Sequence, residues 1–249
     1  MSFLKNLIFK AGARVIGSEI YRKLNFSHDQ SRDPAFKVQR ELIKNPQPVI
    51  FDVGARYGQI SETYKKWFPD SKVFSFEPFP KSYQELEKIS ARFKGIQTFK
   101  RAISDKEGEV TLYANKFSAA NSTLESDDTH TIIDSLTENE STLEVSAIDL
   151  DTFTNKHSID KIDILKMDIQ GGELKALHGA IRLIRDKKID LIYTEVLFMG
   201  IYKGQPYFHD IARFMKDHGY ELYNIYNPWY AKNRLSWADA LFVNPAIIS

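Results

Sequence analysis

Phe51-Asp52-Val53-Gly54-Ala55-Arg56-Tyr57-Gly58 is the stretch on which the fold turns. Residues 49–53 are apolar except for Asp52, rich in β-branched side chains and too few for a buried helix, so they read as a buried strand. Gly54 lets the chain turn sharply, and Gly58 allows close packing where a helix begins. Ile60, Tyr64, Trp67 and Phe68 then recur at helical spacing until Pro69 stops them. Strand, glycine turn and helix together form the opening unit of an α/β sheet.

Outward from this unit the pattern repeats. Residues 72–76 read as a strand ending at Glu77-Pro78, with a helical face of Tyr83, Leu86, Ile89 and Phe93 behind it. Further strands are expected over 96–103, 109–114, 162–167 and 189–196, and a last pair over 221–225 and 240–243. Helices are expected around Thr152–His157, over Leu174–Ile184 and over 208–215. The connection from Asn227 to Asp239 is too short for a helical crossover, so the last pair is antiparallel. The expected fold is α/β: a mostly parallel seven-stranded sheet with an antiparallel terminal strand, helices on both faces and an N-terminal helical extension. Residues 1–46 form that extension, closed by Pro46 and Pro48, and residues 47–249 form the domain. Within the domain, residues 115–142 are dominated by Ser, Thr, Asn, Asp and Glu, and read either as a lid or as a surface insertion.

Composition narrows the function classes. With 249 residues and 43% hydrophobic content the chain can bury a core without staples. The absence of cysteine excludes disulfides, thiolate metal sites and cysteine nucleophiles, and fits a reducing, cytoplasmic compartment. A net charge of +1 gives no broad basic field for nucleic acid, and no apolar run is long enough for a transmembrane segment. Near the N-terminus, Phe3, Leu4, Leu7, Ile8, Ala11 and Val15 form an amphipathic stretch interrupted by Lys5 and Lys10, unlike the continuous core of a signal peptide. It could pack on the body of the protein or a second subunit, giving a homodimer, or lie on an anionic membrane surface.

The turn itself constrains the ligand. A dinucleotide fingerprint is G-x-G-x-x-G, whose second glycine makes room for a pyrophosphate; here the spacing is G-x-x-x-G with Asp52 before it. A carboxylate at that strand end suits a cationic ligand rather than a pyrophosphate. Glu77 ends the neighbouring strand, where a carboxylate can accept both hydroxyls of a ribose. S-adenosylmethionine carries an ammonium, a sulfonium and a ribose without phosphate, and fits these charges better than NAD.

Five strings make a family resemblance specific: Phe51-Asp52-Val53-Gly54-Ala55, Phe76-Glu77-Pro78, Ile148-Asp149-Leu150-Asp151-Thr152-Phe153, Leu165-Lys166-Met167-Asp168-Ile169-Gln170-Gly171-Gly172-Glu173 and Leu177-His178-Gly179-Ala180. In this order they resemble the FkbM-type methyltransferases over about residues 49–245. The resemblance implies a Rossmann-like class I methyltransferase fold and O-methylation of sugars or of natural-product hydroxyl or carboxyl groups. It implies that Asp52, Gly54 and Ala55 line the methionine end of the cofactor, with Arg56 and Gly58 in the same loop. It places Glu77 on the ribose, Pro78 and Phe79 at the adenine pocket, Ala102 and Ile103 at the adenine edge, and Asp168, with Lys166 beside it, near the transferring methyl group. Two positions depart from the family. Arg56 stands where many relatives have Asn, and Gln170 where they commonly have Glu.

Methyl transfer to a hydroxyl requires alignment of the acceptor and removal of a proton. Asp168, at a strand end over the expected crevice, is the leading base, although an aspartate there can also cap the following helix. Glu195 ends the next strand and can join it, but two carboxylates supply too few ligands for a metal. His130, in the polar insertion, would enter the site if a lid closed, or else stay in solvent. Trp229 and Tyr230, expected in the last loop, offer an aromatic face for a sugar or ordinary packing. The expected partner is a small-molecule or glycan acceptor. The alternatives are an NAD-dependent oxidoreductase and a non-catalytic cofactor- or glycan-binding domain.

Overall fold

The computed structural model describes residues 33–115, 120–127, 139–231 and 233–248. Helix α1 (Pro34–Leu42) leads into β1 (Val49–Val53), α2 (Gln59–Trp67), β2 (Lys72–Phe76), α3 (Pro80–Ser90) and β3 (Ile96–Phe99). Next come β4 (Ala102–Ile103), β5 (Gly108–Asn115), β6 (Asn139–Ile148), α4 (Leu150–Lys156) and β7 (Ile162–Met167). The chain ends with α5 (Glu173–His178), α6 (Ile181–Arg185), β8 (Ile189–Leu197), α7 (Phe208–Asp217), β9 (Glu221–Ala231) and β10 (Arg234–Val243).

Seven strands form one sheet in the order β3-β2-β1-β7-β8-β10-β9. All its neighbours are parallel except β10, which runs antiparallel to both β8 and β9. The central strands are buried on both faces, which explains why they read as mostly apolar runs rather than alternating ones. Phe51, Phe76, Leu165 and Ile192 face a core closed by Phe153, Leu177, Ile184 and Met215. Ile50, Val73, Ile164 and Leu191 face the other, closed by Phe36 of α1 and Tyr64 of α2. The stretch from Asp33 thus belongs to the same core as the sheet, with Asp33 capping α1 at Ala35 N, 2.9 Å away. Residues 1–32, including the amphipathic stretch, lie outside the described residues.

Strand order reverses between β1 and β7, and the crevice at their carboxyl ends is where such sheets place ligands.

Four expectations need correction. The single helix expected over Leu174–Ile184 is two, α5 and α6, parted at Gly179 and Ala180. The strand expected over 96–103 divides in two: β3 ends beside β2 at Phe99, and β4 pairs with β6 in a second, three-stranded sheet of order β4-β6-β5. Strand β6 itself was not anticipated, although Leu143, Val145 and Ala147 alternate with more exposed residues. It claims residues 139–142 from the polar insertion. The last two strands run through the expected loop, so Trp229 and Tyr230 lie within β9. Pro228 concealed this continuity; an edge strand tolerates proline, and the β9–β10 register shifts nearby.

Candidate active site

One cavity of about 280 Å³ opens at the carboxyl ends of β1, β2, β7 and β8. Gly54, Ala55, Arg56, Glu77, Pro78, Ala102, Ile103, Asp168 and Glu195 all line it. His130 lies outside the described residues.

The glycine turn is fixed by backbone contacts. Gly54 has φ +76°, and a Cβ there would lie 1.9 Å from the Asp168 carbonyl oxygen. The loop after β1 therefore fits against the loop after β7 only without a side chain. The N–H groups of Gly54 and Ala55 both donate to Phe76 O, at 3.0 and 2.9 Å. Arg56 takes φ 48°, a left-handed conformation that asparagine adopts more readily. Its N–H donates to Glu77 Oε2 at 2.9 Å, and Phe79 N–H donates to Glu77 Oε1 at 2.8 Å. Each Glu77 oxygen thus keeps acceptor capacity. Burial, only partly offset by these bonds and by Arg56 and Lys166, pushes the Glu77 carboxyl up to about 7.

Asp52, Gly58 and Phe79 are absent from the cavity wall, contrary to expectation. Asp52 is fully buried; its Oδ2 accepts from Ser61 Oγ at 2.6 Å, and its Oδ1 faces Lys166 Nζ at 3.3 Å. The register places Lys166 directly opposite Asp52 on the neighbouring strand, so the carboxylate is spent on a cross-strand ion pair. Lys166 Nζ also reaches Gly54 O at 3.3 Å, tying the pair to the turn. Burial opposes the Lys166 charge, but Asp52 and Asp168 outweigh it and hold the ammonium above the ordinary lysine value. Gly58 fails to reach the cavity because it packs inward: its Cβ would meet Leu86 Cδ1 at 2.9 Å. Phe79 contributes its N–H to Glu77 and forms the N-cap position of α3.

The other end of the cavity is rich in carboxylates. Glu173 Oε1 and Oε2 accept from Ile169 and Gly171 N–H, both at 2.9 Å, and so hold the loop that carries Asp168. Gln170 Nε2 donates to Asp168 Oδ1 and to Glu195 Oε2, each at 2.8 Å. Glu195 stands opposite Asp239 across β8 and β10. Like charges in that register destabilise a sheet. Burial first, then Asp168, Glu173 and Asp239, push Glu195 well above the usual carboxylate range. Burial likewise raises Asp239 to about 6, against hydrogen bonds from Asn227 and Tyr193. Asn227 Nδ2 also donates to Asp33 Oδ2 at 2.8 Å, closing this end.

Residues 120–127 of the polar insertion lie over the crevice. Asn121, Ser122 and Thr123 line the cavity, and Ser122 Oγ donates to Gln170 O at 2.6 Å. Asp127 N–H donates to Ile201 O at 2.9 Å, and Lys203 N–H to Glu125 O at 2.8 Å, joining this segment to the loop after β8.

Residues 52–222 match the model of the methyltransferase FkbM domain. The chain belongs to the FkbM methyltransferase family. It is 25% identical over 181 residues to the 2-O-methyltransferase NoeI of Sinorhizobium fredii, covering 69% of this chain and 73% of that protein. It is also 25% identical over 172 residues to Methyltransferase 1 of Beauveria bassiana, covering 62% of this chain and 66% of that one. Among solved structures, the methyltransferase FkbM of Methylobacillus flagellatus shares the fold, with a TM-score of 0.55 and 16% identity. That likeness covers 82% of this chain, which spans 45% of the crystallised one. Membership makes the chain a methyltransferase whose methyl donor is S-adenosylmethionine.

Several strings that carry the FkbM resemblance lie away from the cavity and do structural work. Asp149 caps α4 at Thr152 N, 2.7 Å away, and Asp151 accepts from Arg182 and Leu183 N–H at the start of α6. A Cβ on Gly179 would lie 2.1 Å from Ser104 O, so that glycine seals α5 against the end of β4. Sequence reading missed Asp33, Asn227 and Asp239 at the cavity wall. Only Asp239 left a signal: a lone carboxylate between Ala238 and Ala240, just before the apolar run Ala240–Val243. Among the described residues, no helix is long and apolar enough to cross a membrane.

Proposed function

We propose that this FkbM methyltransferase transfers its methyl group to a hydroxyl of a glycan or small hydroxylated metabolite. The observation that carries the reading is that a single cavity joins Glu77 at one end to the Asp168–Glu195 pair at the other. Glu77, with open acceptor capacity on both oxygens, would take the ribose hydroxyls. Pro78, Ala102 and Ile103 would flank the base, while Gly54, Ala55 and Arg56 would border the amino acid end. S-adenosylmethionine supplies a methyl group on a positively charged sulfur. Asp168 and Glu195 would orient the acceptor hydroxyl, and one of them would take its proton as the new C–O bond forms and the C–S bond breaks. The printed activity of NoeI, a 2-O-methyltransferase, supports an oxygen acceptor. Trp229 and Trp237 stack at 3.9 Å beside the Glu195–Asp239 pair and would offer a sugar an aromatic shelf.

The oxidoreductase alternative is weakened by the turn itself. A pyrophosphate needs free backbone N–H groups there, and those of Gly54 and Ala55 are taken by Phe76 O. Calorimetric titration should show S-adenosylhomocysteine binding and no NAD binding; the reverse result would sink the reading. With a panel of methyl glycosides as acceptors, Asp168→Asn should slow turnover about a hundredfold or more while S-adenosylhomocysteine affinity changes little. Binding without turnover on any hydroxylated acceptor would favour the non-catalytic alternative.

A further inference from the structure

Asp168 and Glu195 project from the ends of neighbouring parallel strands into one cavity, Glu195 half-buried and Asp168 at the exposed rim. Two carboxylates in such a place repel each other, and a shared proton or a bound cation is the usual remedy. Here a side-chain amide lies between them. The Gln170 NH₂ group has two protons, and the structure uses both, one for Asp168 Oδ1 and one for Glu195 Oε2. The Tyr202 hydroxyl lies 2.8 Å from Gln170 Oε1 and donates to it, so the amide is oriented with its nitrogen toward the carboxylates. The backbone is held as well, in a left-handed conformation at φ 55° and with its carbonyl bound by Ser122.

An amide nitrogen donates hydrogen bonds and does not ligate a hard cation, which takes oxygen ligands. Among the described residues, no hydrogen bond reaches Asp168 Oδ2 or Glu195 Oε1. We propose that Gln170 is a positioning residue that occupies the place of a divalent cation between Asp168 and Glu195, so that the pair presents one free oxygen each to the acceptor and methyl transfer runs without a metal. The inference rests on the methyltransferase reading of this cavity, but its test needs no acceptor. It also gives the departure from glutamate at this position a physical meaning. A third carboxylate here would complete an oxygen-only cluster, whereas the amide makes one unnecessary.

Two measurements decide it. Manganese(II) is titrated into the S-adenosylhomocysteine complex of the wild type and of Gln170→Glu, and the signal of free ion is followed by electron paramagnetic resonance. The wild type should leave the signal unchanged, while the variant should take up one ion per chain at least about tenfold more tightly. One ion bound by the wild type and lost in Asp168→Asn would overturn the proposal, as would a variant that folds yet binds no better. Should Gln170→Glu fail to fold, the wild type alone decides by nuclear magnetic resonance. The two Gln170 side-chain amide protons should exchange at least about tenfold more slowly than those of an exposed glutamine. They should also shift as Glu195 titrates. Rapid exchange with no pH-dependent shift would show that the bridge does not exist.

Discussion

The Glu77 end of the cavity is set by backbone groups close together in sequence, whereas the Glu195 end is assembled from side chains scattered along the chain. At the first, the chain turns at Gly54, and Arg56 and Phe79 offer backbone N–H groups to one carboxylate. At the second, Gln170 reaches Glu195, Ser122 reaches Gln170, and Asn227 reaches Asp33 across 194 residues of sequence. The first arrangement depends little on side-chain identity beyond one glycine and one glutamate, so it can be shared by proteins with different acceptors. The second can be changed one residue at a time without disturbing the first. On the proposed reading, donor binding and acceptor choice would fall on separable parts of the fold.

The comparison breaks most severely where the two ends touch, at Gly54 against the Asp168 carbonyl. Gly54→Ala combines a left-handed residue with a Cβ 1.9 Å from backbone oxygen, which cannot yield as a flexible side chain would. The expected cost is roughly 3 kcal/mol or more, a fall in Tm of roughly 10 °C for a domain of this size. Gly58→Ala has a comparable φ of +87° but meets the tip of Leu86, and should cost about 1–2 kcal/mol. Thermal unfolding of the two variants, each with and without S-adenosylhomocysteine, checks the ranking. Equal losses would mean that contact with the Asp168 loop is not what demands glycine at position 54.

The same contrast explains what the sequence revealed. The glycine turn, Glu77 and the sheet around them were legible because strand, turn and helix announce themselves within ten residues. The burial of Asp52 was not legible, because a position at a strand end suggests a side chain facing the crevice. Its partner Lys166 lies on another strand at the matching register, and an acid and a base each buried in an apolar strand was the available sign of a pair. Strand β6 was legible in its alternation but was overshadowed by the polar insertion before it. The Asp33–Asn227–Asp239 cluster depends on tertiary contacts between α1, β9 and β10, and no local pattern brings those three residues together.

The Glu77 end can be sharpened by pH. With a free-protein pKa of about 7, Glu77 is mostly protonated at pH 6 and mostly ionised at pH 8. Two N–H donors already favour its charged form, and two ribose hydroxyls would favour it further, so ligand binding should release a proton below pH 7. S-adenosylhomocysteine affinity should therefore be about tenfold weaker at pH 6 than at pH 8. Glu77→Gln, which cannot ionise, should bind weakly at both pH values with a flat profile. Calorimetry at the two pH values, in buffers of different ionisation enthalpy, reads both the affinity and the proton. The sign is opposite for folding: because burial raises this pKa, ionisation of Glu77 takes stability away from the unliganded protein as pH rises from about 4.5 to about 7, and bound ligand should restore it.

The smallest effect belongs to β9 and β10 beyond the Glu195 end, where the proposed acceptor would extend. Trp229 stacks on Trp237 at 3.9 Å with ring planes 11° apart, and Trp237 sits two residues before Asp239 on β10. If a sugar ring rests on this pair, truncating Trp229 removes contact area and leaves the carboxylates and the nucleoside end in place. An aromatic contact of this kind is worth about 0.5–1.5 kcal/mol, so Trp229→Ala should raise the acceptor KM roughly threefold to tenfold. Because the lost contact is made equally before and during methyl transfer, kcat should hold, and S-adenosylhomocysteine affinity should not move. A fall in kcat at constant KM would instead mean that β9 and β10 act through Asp239 and Glu195, and that the two ends of the cavity are less separable than their construction implies.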